Sequence, residues 1–440
     1  MHVDPLYRRH RERFLQGLAR AGAAAVIPTA TPKVRNHDSE YRFRPDSDFW
    51  YLSGFAEPGC VLVLLPERAG SPGGPRSVLF LRERKPDEEI WTGRRLGVEA
   101  APAELGVDQA FPIGELWSRL GGLLRGCSRV VYRAGLDEAR DRELLGVLAR
   151  LRRDVRSAEP LFEELVDTAP LLHELRLFKG EGELERMRRA AEISGEAHRE
   201  ALRATRPGER EYEVEARIEA TFRRLGSTGS AYVPIVASGA NACVLHYHEN
   251  QAELRAGDLL LIDAGAEFDY YASDVTRTFP IGGSFSEEQA ALYDVVLRAQ
   301  ERAIALVRPG ESIRSVHDAA VRALAEGLMG LELLAGPLER ILEEETYRRF
   351  YMHRTSHWLG LDVHDCGAYS LGGESRRFEP GMALTVEPGL YVDPGERELD
   401  ERWRGIGIRI EDDLVVTPEG CEVLTAAIPK RPVELARARG

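Results

Sequence analysis

Between residues 259 and 416 carboxylates and imidazoles recur where a strand or turn would aim them at a common point. The segment Leu259–Phe279, LLLIDAGAEFDYYASDVTRTF, has two apolar runs around a polar turn, the pattern of a β-hairpin. A turn centred on Phe268 and Asp269 sets Asp263 opposite Asp274. Side chains so opposed have Cβ atoms about 4.5–5.5 Å apart. Two carboxylates that close repel unless a positive charge lies between them. A hard divalent cation is the simplest such charge.

A second cluster, His353 to Asp365 (HRTSHWLGLDVHD), holds three of the eleven histidines. Imidazole is the common nitrogen donor to Zn, Mn, Co and Fe, and it titrates near neutrality. The pattern alone does not choose among His353, His357 and His364. In Ala383–Leu390 (ALTVEPGL), Leu384 and Val386 alternate with Thr385 and Glu387, as in a half-buried strand. Pro388 and Gly389 then end it, leaving Glu387 at the tip. In Gly405–Val416, Ile406, Ile408 and Ile410 point one way, while Arg409 and Glu411 share the other face with two glycines that leave room beside them. Together these pieces offer two Asp, two Glu and at least one His. Carboxylate-rich ligation with one imidazole suits two hard or borderline ions such as Mn, Co or Zn. Ions about 3.5–4 Å apart can share a bridging hydroxide and polarise a carbonyl, which is the chemistry of amide or ester hydrolysis.

The elements that would position these residues fill the second part of the chain. Its 440 residues allow two or three domains. Helical patterns at Tyr7–Ala21, Gly114–Leu124 and Glu138–Leu151 interleave with strand patterns at Ala24–Ile27, Cys60–Leu65, Ser77–Leu81 and Val130–Tyr132. A loop with Gly70, Gly73 and Gly74 separates the second and third strands. This first part is a mixed α/β domain, residues 1–173. From residue 174 to 440 helices at Glu181–Thr205, Tyr212–Leu225 and Glu287–Val307 flank the strands just described. The fold class is therefore α/β (α+β) in two domains, without low-complexity segments or short-period repeats.

Composition excludes several classes. The formal net charge of -13 argues against a nucleic-acid binder. No apolar run reaches the roughly 18 residues of a membrane span, and the charged start, Met1 to Phe14, does not resemble a secretory signal. Five scattered cysteines without a C-x-x-C pair fit reduced thiols in a cytoplasm. H-E-x-x-H, G-x-S-x-G and the phosphate-binding G-x-x-x-x-G-K-[ST] are absent, and GIGIR at Gly405 lies inside an alternating strand rather than a dinucleotide loop.

The motifs IDAG…SDVTRTFP, SHWLGLDVHD, LTVEPGLY and GIRIEDD stand in the order found in the pita-bread metallopeptidases. The chain resembles that family's Xaa-Pro aminopeptidase (aminopeptidase P) type. DSDFWYLSGFAEPG at Asp46–Gly59 and EEIWTGRRLG at Glu88–Gly97 resemble the same family's first domain. The resemblance implies that Asp263 binds one metal ion, His357 and Glu387 the other, and that Asp274 and Glu411 bridge them. It implies Mn, with Co, Zn or Fe fitting the same set. Glu387 is implied as proton shuttle, with His246 and His364 lining the site and His353 near a proline pocket. Arg409 would bind Glu411 or the substrate's far carbonyl. Trp91 would reach a neighbouring subunit of a homodimer or homotetramer. His248 and Arg354-Thr355 depart from the family's pattern, where small residues are expected. The implied activity is removal of the first residue from peptides with proline second. An Xaa-Pro dipeptidase shares all five ligands and is the nearest rival; a non-catalytic peptide-binding relative would be expected to lack some of them.

Overall fold

The computed structural model describes residues 4–67, 73–153 and 160–439; Gly70 of the glycine-bearing loop lies outside them. The chain forms two compact units, Met1–Arg176 and Leu177–Gly440.

In the first unit, helix α1 (Pro5–Ala21) starts where the Asp4 side chain accepts from the Leu6 amide, with proline in the first turn, and stops at Gly22, whose φ is 62°. Strands β1 (Ala23–Pro28), β2 (Val61–Leu64), β3 (Ser77–Leu81), β4 (Gln109–Pro112), β5 (Arg129–Val131) and β6 (Glu164–Val166) make one mixed sheet in the order β4-β3-β2-β1-β5-β6. Antiparallel β2–β3 is a hairpin, while β1–β5 and β5–β6 are parallel and need crossovers. Helices α2 (Leu116–Leu124) and α3 (Glu138–Arg152) supply them. Leu116, Leu120, Leu124, Leu144, Val147 and Leu148 pack with Val61, Val63, Val78 and Phe80 in one apolar core.

The second unit sets helices against short antiparallel strands. Helix α4 (Glu181–Ala204) buries Met187, Ala191 and Leu202, and helix α5 (Glu211–Arg224) buries Val214, Ile218 and Phe222. Strands β7 (Ile235–Ser238), β8 (Leu259–Asp263) and β11 (Thr276–Pro280) form one sheet, and β9 (Ala266–Phe268) and β10 (Tyr271–Ala272) extend the hairpin beyond it. After α6 (Glu287–Ile304) and α7 (Ile313–Gly330), strands β12 (Ala383–Val386), β13 (Gly389–Tyr391), β14 (Gly407–Arg409), β15 (Asp412–Val416) and β16 (Cys421–Val423) follow. β12, β15 and β16 make a second three-stranded sheet, and β13 pairs with β14.

Three sequence expectations change. The hairpin turns on Asp269 and Tyr270, not on Phe268 and Asp269: both have positive φ, 50° and 66°, as a two-residue type I′ turn requires. The register moves accordingly. Asp263 pairs with Thr276, and Asp274 stands opposite Gly265 rather than Asp263. Because the slip is two residues along one strand, side-chain faces are preserved. Second, β12 is buried on both faces, not half-buried. Leu384 and Val386 enter an apolar cluster, while the Thr385 hydroxyl accepts from the His357 amide at 3.2 Å. Third, Gly407 leaves no room beside Arg409: a Cβ there would lie 2.3 Å from the Ala242 carbonyl oxygen, so the glycine admits the Gly239–Cys243 turn.

Candidate active site

Several backbone segments meet at one cavity of about 720 Å³ in the second unit, a volume ordinary for a small-ligand site. Asp263 ends β8 and Asp274 precedes β11, so the hairpin brings both to it. Two devices fix that hairpin. At Gly265 a Cβ would lie 1.7 Å from the Ser273 carbonyl oxygen, a backbone approach open only to glycine. From α4, one turn apart, the Ser194 hydroxyl accepts from the Ala266 amide at 2.9 Å and His198 Nε2 donates to the Ala264 carbonyl at 2.9 Å. Glu387 follows β12, its amide donating to the Thr355 carbonyl at 2.8 Å. Glu411 sits between β14 and β15, its amide on the Thr276 carbonyl at 3.1 Å. The alternation around it holds: Ile406, Ile408 and Ile410 enter the main core while Arg409 and Glu411 line the cavity.

The donor atoms converge. His357 Nε2 lies 3.3 Å from Asp274 Oδ2 and 3.5 Å from Glu387 Oε1. Ligand atoms of Asp274, His357 and Glu411 all fall within 4.8 Å of one another. His357 Nδ1 donates to the Trp358 carbonyl at 3.0 Å, which turns Nε2 towards the carboxylates, as second-shell bonds to metal-binding imidazoles do. Asp263 accepts from the Tyr232 hydroxyl and from Arg409 Nη2, each at 2.6 Å. Thr276 Oγ1 accepts from Arg409 Nε at 3.1 Å and donates to Glu411 Oε2 at 2.7 Å. Asp413 accepts from the Asp274 amide at 3.1 Å and from the Ser273 hydroxyl at 2.7 Å, which holds Asp274 from behind.

The electrostatics are those of too many acids in too little water. Burial pushes the Glu387 carboxyl up to about 7, with His357 opposing and Asp274 adding. Glu411 is pushed well above its ordinary range by burial and by Asp274 and Glu387; burial also raises Asp263 despite Arg409. Burial alone would raise Asp274 and lower His357, yet their hydrogen bond wins: Asp274 falls below its ordinary value and His357 rises to about 9. Ionising all four carboxylates together requires compensating positive charge, and the oxygen-rich donor set fits divalent cations.

The profile of metallopeptidase family M24 matches residues 185–418, and that of the aminopeptidase P N-terminal domain matches residues 7–132. The chain belongs to metallopeptidase family M24. It is 45% identical to Xaa-Pro aminopeptidase of Escherichia coli K12, over 98% of this chain and 96% of that one, and 42% identical to the Haemophilus influenzae enzyme of that name, over 93% and 91%. Among solved structures, Pseudomonas aeruginosa aminopeptidase PepP superimposes with a TM-score of 0.94 at 46% identity, covering 100% of this chain and 99% of that one. Zinc-substituted E. coli aminopeptidase P in complex with product gives 0.94 at 44%, over 100% and 99%. The fold is thus an N-terminal aminopeptidase P domain followed by an M24 pita-bread domain, and the chain is a metal-dependent hydrolase.

In this M24 cavity all the named second-unit residues meet: Asp263, Asp274, His357, Glu387, Glu411, His246, His248, His353, His364 and Arg409 line it. Trp91 does not line it; it stands 86% exposed on a short helix, Pro86–Thr92, of the first unit. His364 sets its ring edge-on to His357 at 4.3 Å, and His246 and His248 are near-parallel at 6.3 Å. Arg409 pairs directly with Asp263 and is joined to Glu411 through Thr276. His353 Nε2 lies 2.9 Å from the Tyr391 hydroxyl, which also accepts from Arg409 Nη1 at 3.0 Å. His353 Nδ1 donates to the Arg354 carbonyl at 2.8 Å, and burial holds its pKa down to about 3. Tyr232, Thr276, Tyr391 and Asp413 carry this scaffold without having been singled out by the sequence. Thr276, Tyr391 and Asp413 fall inside quoted motifs, whereas Tyr232 sits in an unremarkable stretch.

Proposed function

We propose that this chain is an Xaa-Pro aminopeptidase, releasing the first residue from peptides whose second residue is proline. What carries the proposal is the convergence of Asp263, Asp274, His357, Glu387 and Glu411 on one cavity, in a chain matched almost end to end by enzymes of that name. We assign those five as ligands of two divalent ions, most simply Mn, with Co, Zn or Fe chemically equivalent. When bound, the ions supply Lewis-acid polarisation of the scissile carbonyl and acidify water.

The chain's own groups do the rest. Glu387, whose carboxylate faces His357 Nε2 at 3.5 Å and His353 Nδ1 at 3.8 Å across the cavity, is the natural carrier of a proton from water to the leaving imide nitrogen. Arg409 and Tyr232 fix Asp263, and Asp413 fixes Asp274. Proline offers no N–H and has a fixed φ, so its ring must be recognised by shape. The wall of His353 and Tyr391, with His353 Nδ1 3.8 Å from Glu387 Oε2, suits that ring. His246 and His364 complete the lining beside the scissile carbonyl. The same reading includes a cytoplasmic homodimer or homotetramer: Ile90 and Trp91 form an exposed apolar pair suited to a second copy, and among the described residues no helix is long and apolar enough to cross a membrane.

The test compares Arg-Pro-Pro with Arg-Pro under added Mn, in the wild type and in Asp274→Ala and Glu411→Ala. Release of Arg from the tripeptide, abolished together with metal uptake in both variants, is the expected result. Full activity in either variant would refute the two-metal assignment. Cleavage of the dipeptide alone would make the enzyme an Xaa-Pro dipeptidase.

A further inference from the structure

Two guanidinium groups line the cavity, and they are differently committed. Arg409 is spent: Nη2 is on Asp263, Nη1 on Tyr391 and Nε on Thr276, and the residue is only 4% exposed. Arg354 is exposed and has only its backbone carbonyl engaged, by His353 Nδ1. Among the described residues its guanidinium has no hydrogen-bond or ion-pair partner. This contrasts with much of the surface, where arginines such as Arg188, Arg199, Arg322 and Arg349 hold carboxylates.

Its place in the cavity says what it would meet. The floor carries the carboxylates assigned above to the metal ions, and the scissile bond must lie over them. The residue before Arg354, His353, forms with Tyr391 the wall assigned above to proline. A peptide lying with its scissile bond on the floor and its second residue on that wall sends its third residue outward, past His353, to the rim. A free cation there is complementary to a carboxylate and to nothing else the substrate must carry.

The geometry points to Arg354 as a carboxylate subsite for the leaving peptide, selecting substrates with negative charge on the third residue. That charge is either the chain end of a tripeptide or an acidic side chain. The inference rests on the peptide orientation proposed above, and deepens it from proline specificity to selection by charge and length.

The test reads binding as well as turnover. The leaving peptide Pro-Leu, its amide, and Pro-Glu amide are titrated calorimetrically into the Mn-loaded protein, wild type and Arg354→Gln. An exposed ion pair at the strong end of the usual range makes wild type prefer Pro-Leu over its amide by about fivefold. The preference should fall to about one in Arg354→Gln and return in part in Arg354→Lys. Pro-Glu amide matching Pro-Leu supports a subsite that also takes an acidic side chain; Pro-Glu amide matching Pro-Leu amide supports one that takes the chain end. A preference for Pro-Leu that is absent in wild type, or undiminished in Arg354→Gln, overturns the proposal. Kinetics on Ala-Pro-Leu and its amide should show the same ratio, carried by KM. Failure to hydrolyse any Xaa-Pro peptide would count against the proposed function, while the binding ratios would still decide the role of Arg354.

Discussion

Metal uptake by this site should expel protons, and the amount follows from its geometry. A metal-binding imidazole must be neutral and a metal-binding carboxyl ionised. Without metal, His357 is held up to about 9 by Asp274 and Glu387 against the effect of burial, and Glu387 is pushed by burial to about 7. At pH 7 His357 then carries nearly a full proton and Glu387 about half of one, so binding releases about 1.5 protons from these two alone. The released number rises to about 2 at pH 6 and falls to about 1 at pH 8. Integrated over that interval, affinity should climb about a thousandfold, equivalent to about 4 kcal/mol. Glu411, raised well above its ordinary range by burial, adds to each figure. Calorimetric titration of Mn into the metal-free protein, in buffers of different ionisation enthalpy, counts the protons directly. Release of fewer than about half a proton at pH 7 would refute the reasoning, because the carboxylates would then already be ionised and His357 already neutral.

Gly265→Ala should lower the melting temperature and abolish Mn uptake together, since its Cβ would lie 1.7 Å from the Ser273 carbonyl oxygen and must part the strands that carry Asp263 and Asp274; overpacking of this kind costs about 1–3 kcal/mol or more. Thr276→Val keeps the shape but removes the hydroxyl between Arg409 and Glu411, leaving the buried guanidinium and the buried carboxyl each short of a partner; urea unfolding should show a loss of about 1–3 kcal/mol, and an unchanged midpoint would deny the bridge its role. His198 is fully buried and its pKa falls to about 4, mainly through desolvation. Between pH 6.5 and 4 the unfolded chain takes up a proton that the native state refuses, so its contribution is complete above pH 6.5 and about 3 kcal/mol is lost by pH 4. Unfolding free energies across that range, compared with those of His198→Gln, should show a shallower acid limb in the variant.

The extent to which the fold was legible depends on where its signals lie. α1, α4 and α6 follow from apolar spacing and punctuation within one or two turns, and β2 and β3 from their apolar runs. Helix α7 carries an equally plain signal, Val316, Ala320, Leu324 and Leu328 at i, i+4 spacing, all buried. The hairpin register is not legible in the sequence because both turn positions, Asp269 and Tyr270, are left-handed without a glycine to mark them. The consequence was small because the slip preserved parity: Asp263 and Asp274 stay on one face and both reach the cavity. An odd slip would have sent one of them into the core. What no local pattern could supply is the third layer of contacts. Tyr232 on Asp263, Asp413 behind Asp274 and His198 on Ala264 join positions 31 to 139 residues apart.

The imidazole is the instructive case. His353, His357 and His364 sit within twelve residues, and spacing alone leaves all three open. The folded chain separates them by what each ring nitrogen faces. His353 gives Nδ1–H to the Arg354 carbonyl and meets Tyr391 with Nε2, so both nitrogens are engaged and burial keeps it neutral. His364 is also held down, first by burial and then by the positive His357, and it presents an edge rather than a donor pair. His357 gives Nδ1–H to its neighbour's carbonyl and turns Nε2 on two carboxylates at 3.3 and 3.5 Å. In a cavity this acidic, the ring that pairs with carboxylates in the absence of metal holds a proton where a cation would sit. The choice among the three therefore becomes measurable. His357→Ala should weaken Mn uptake by at least about tenfold, whereas His353→Ala should leave it near the wild-type value. An unchanged Mn affinity in His357→Ala would place the ligating imidazole elsewhere.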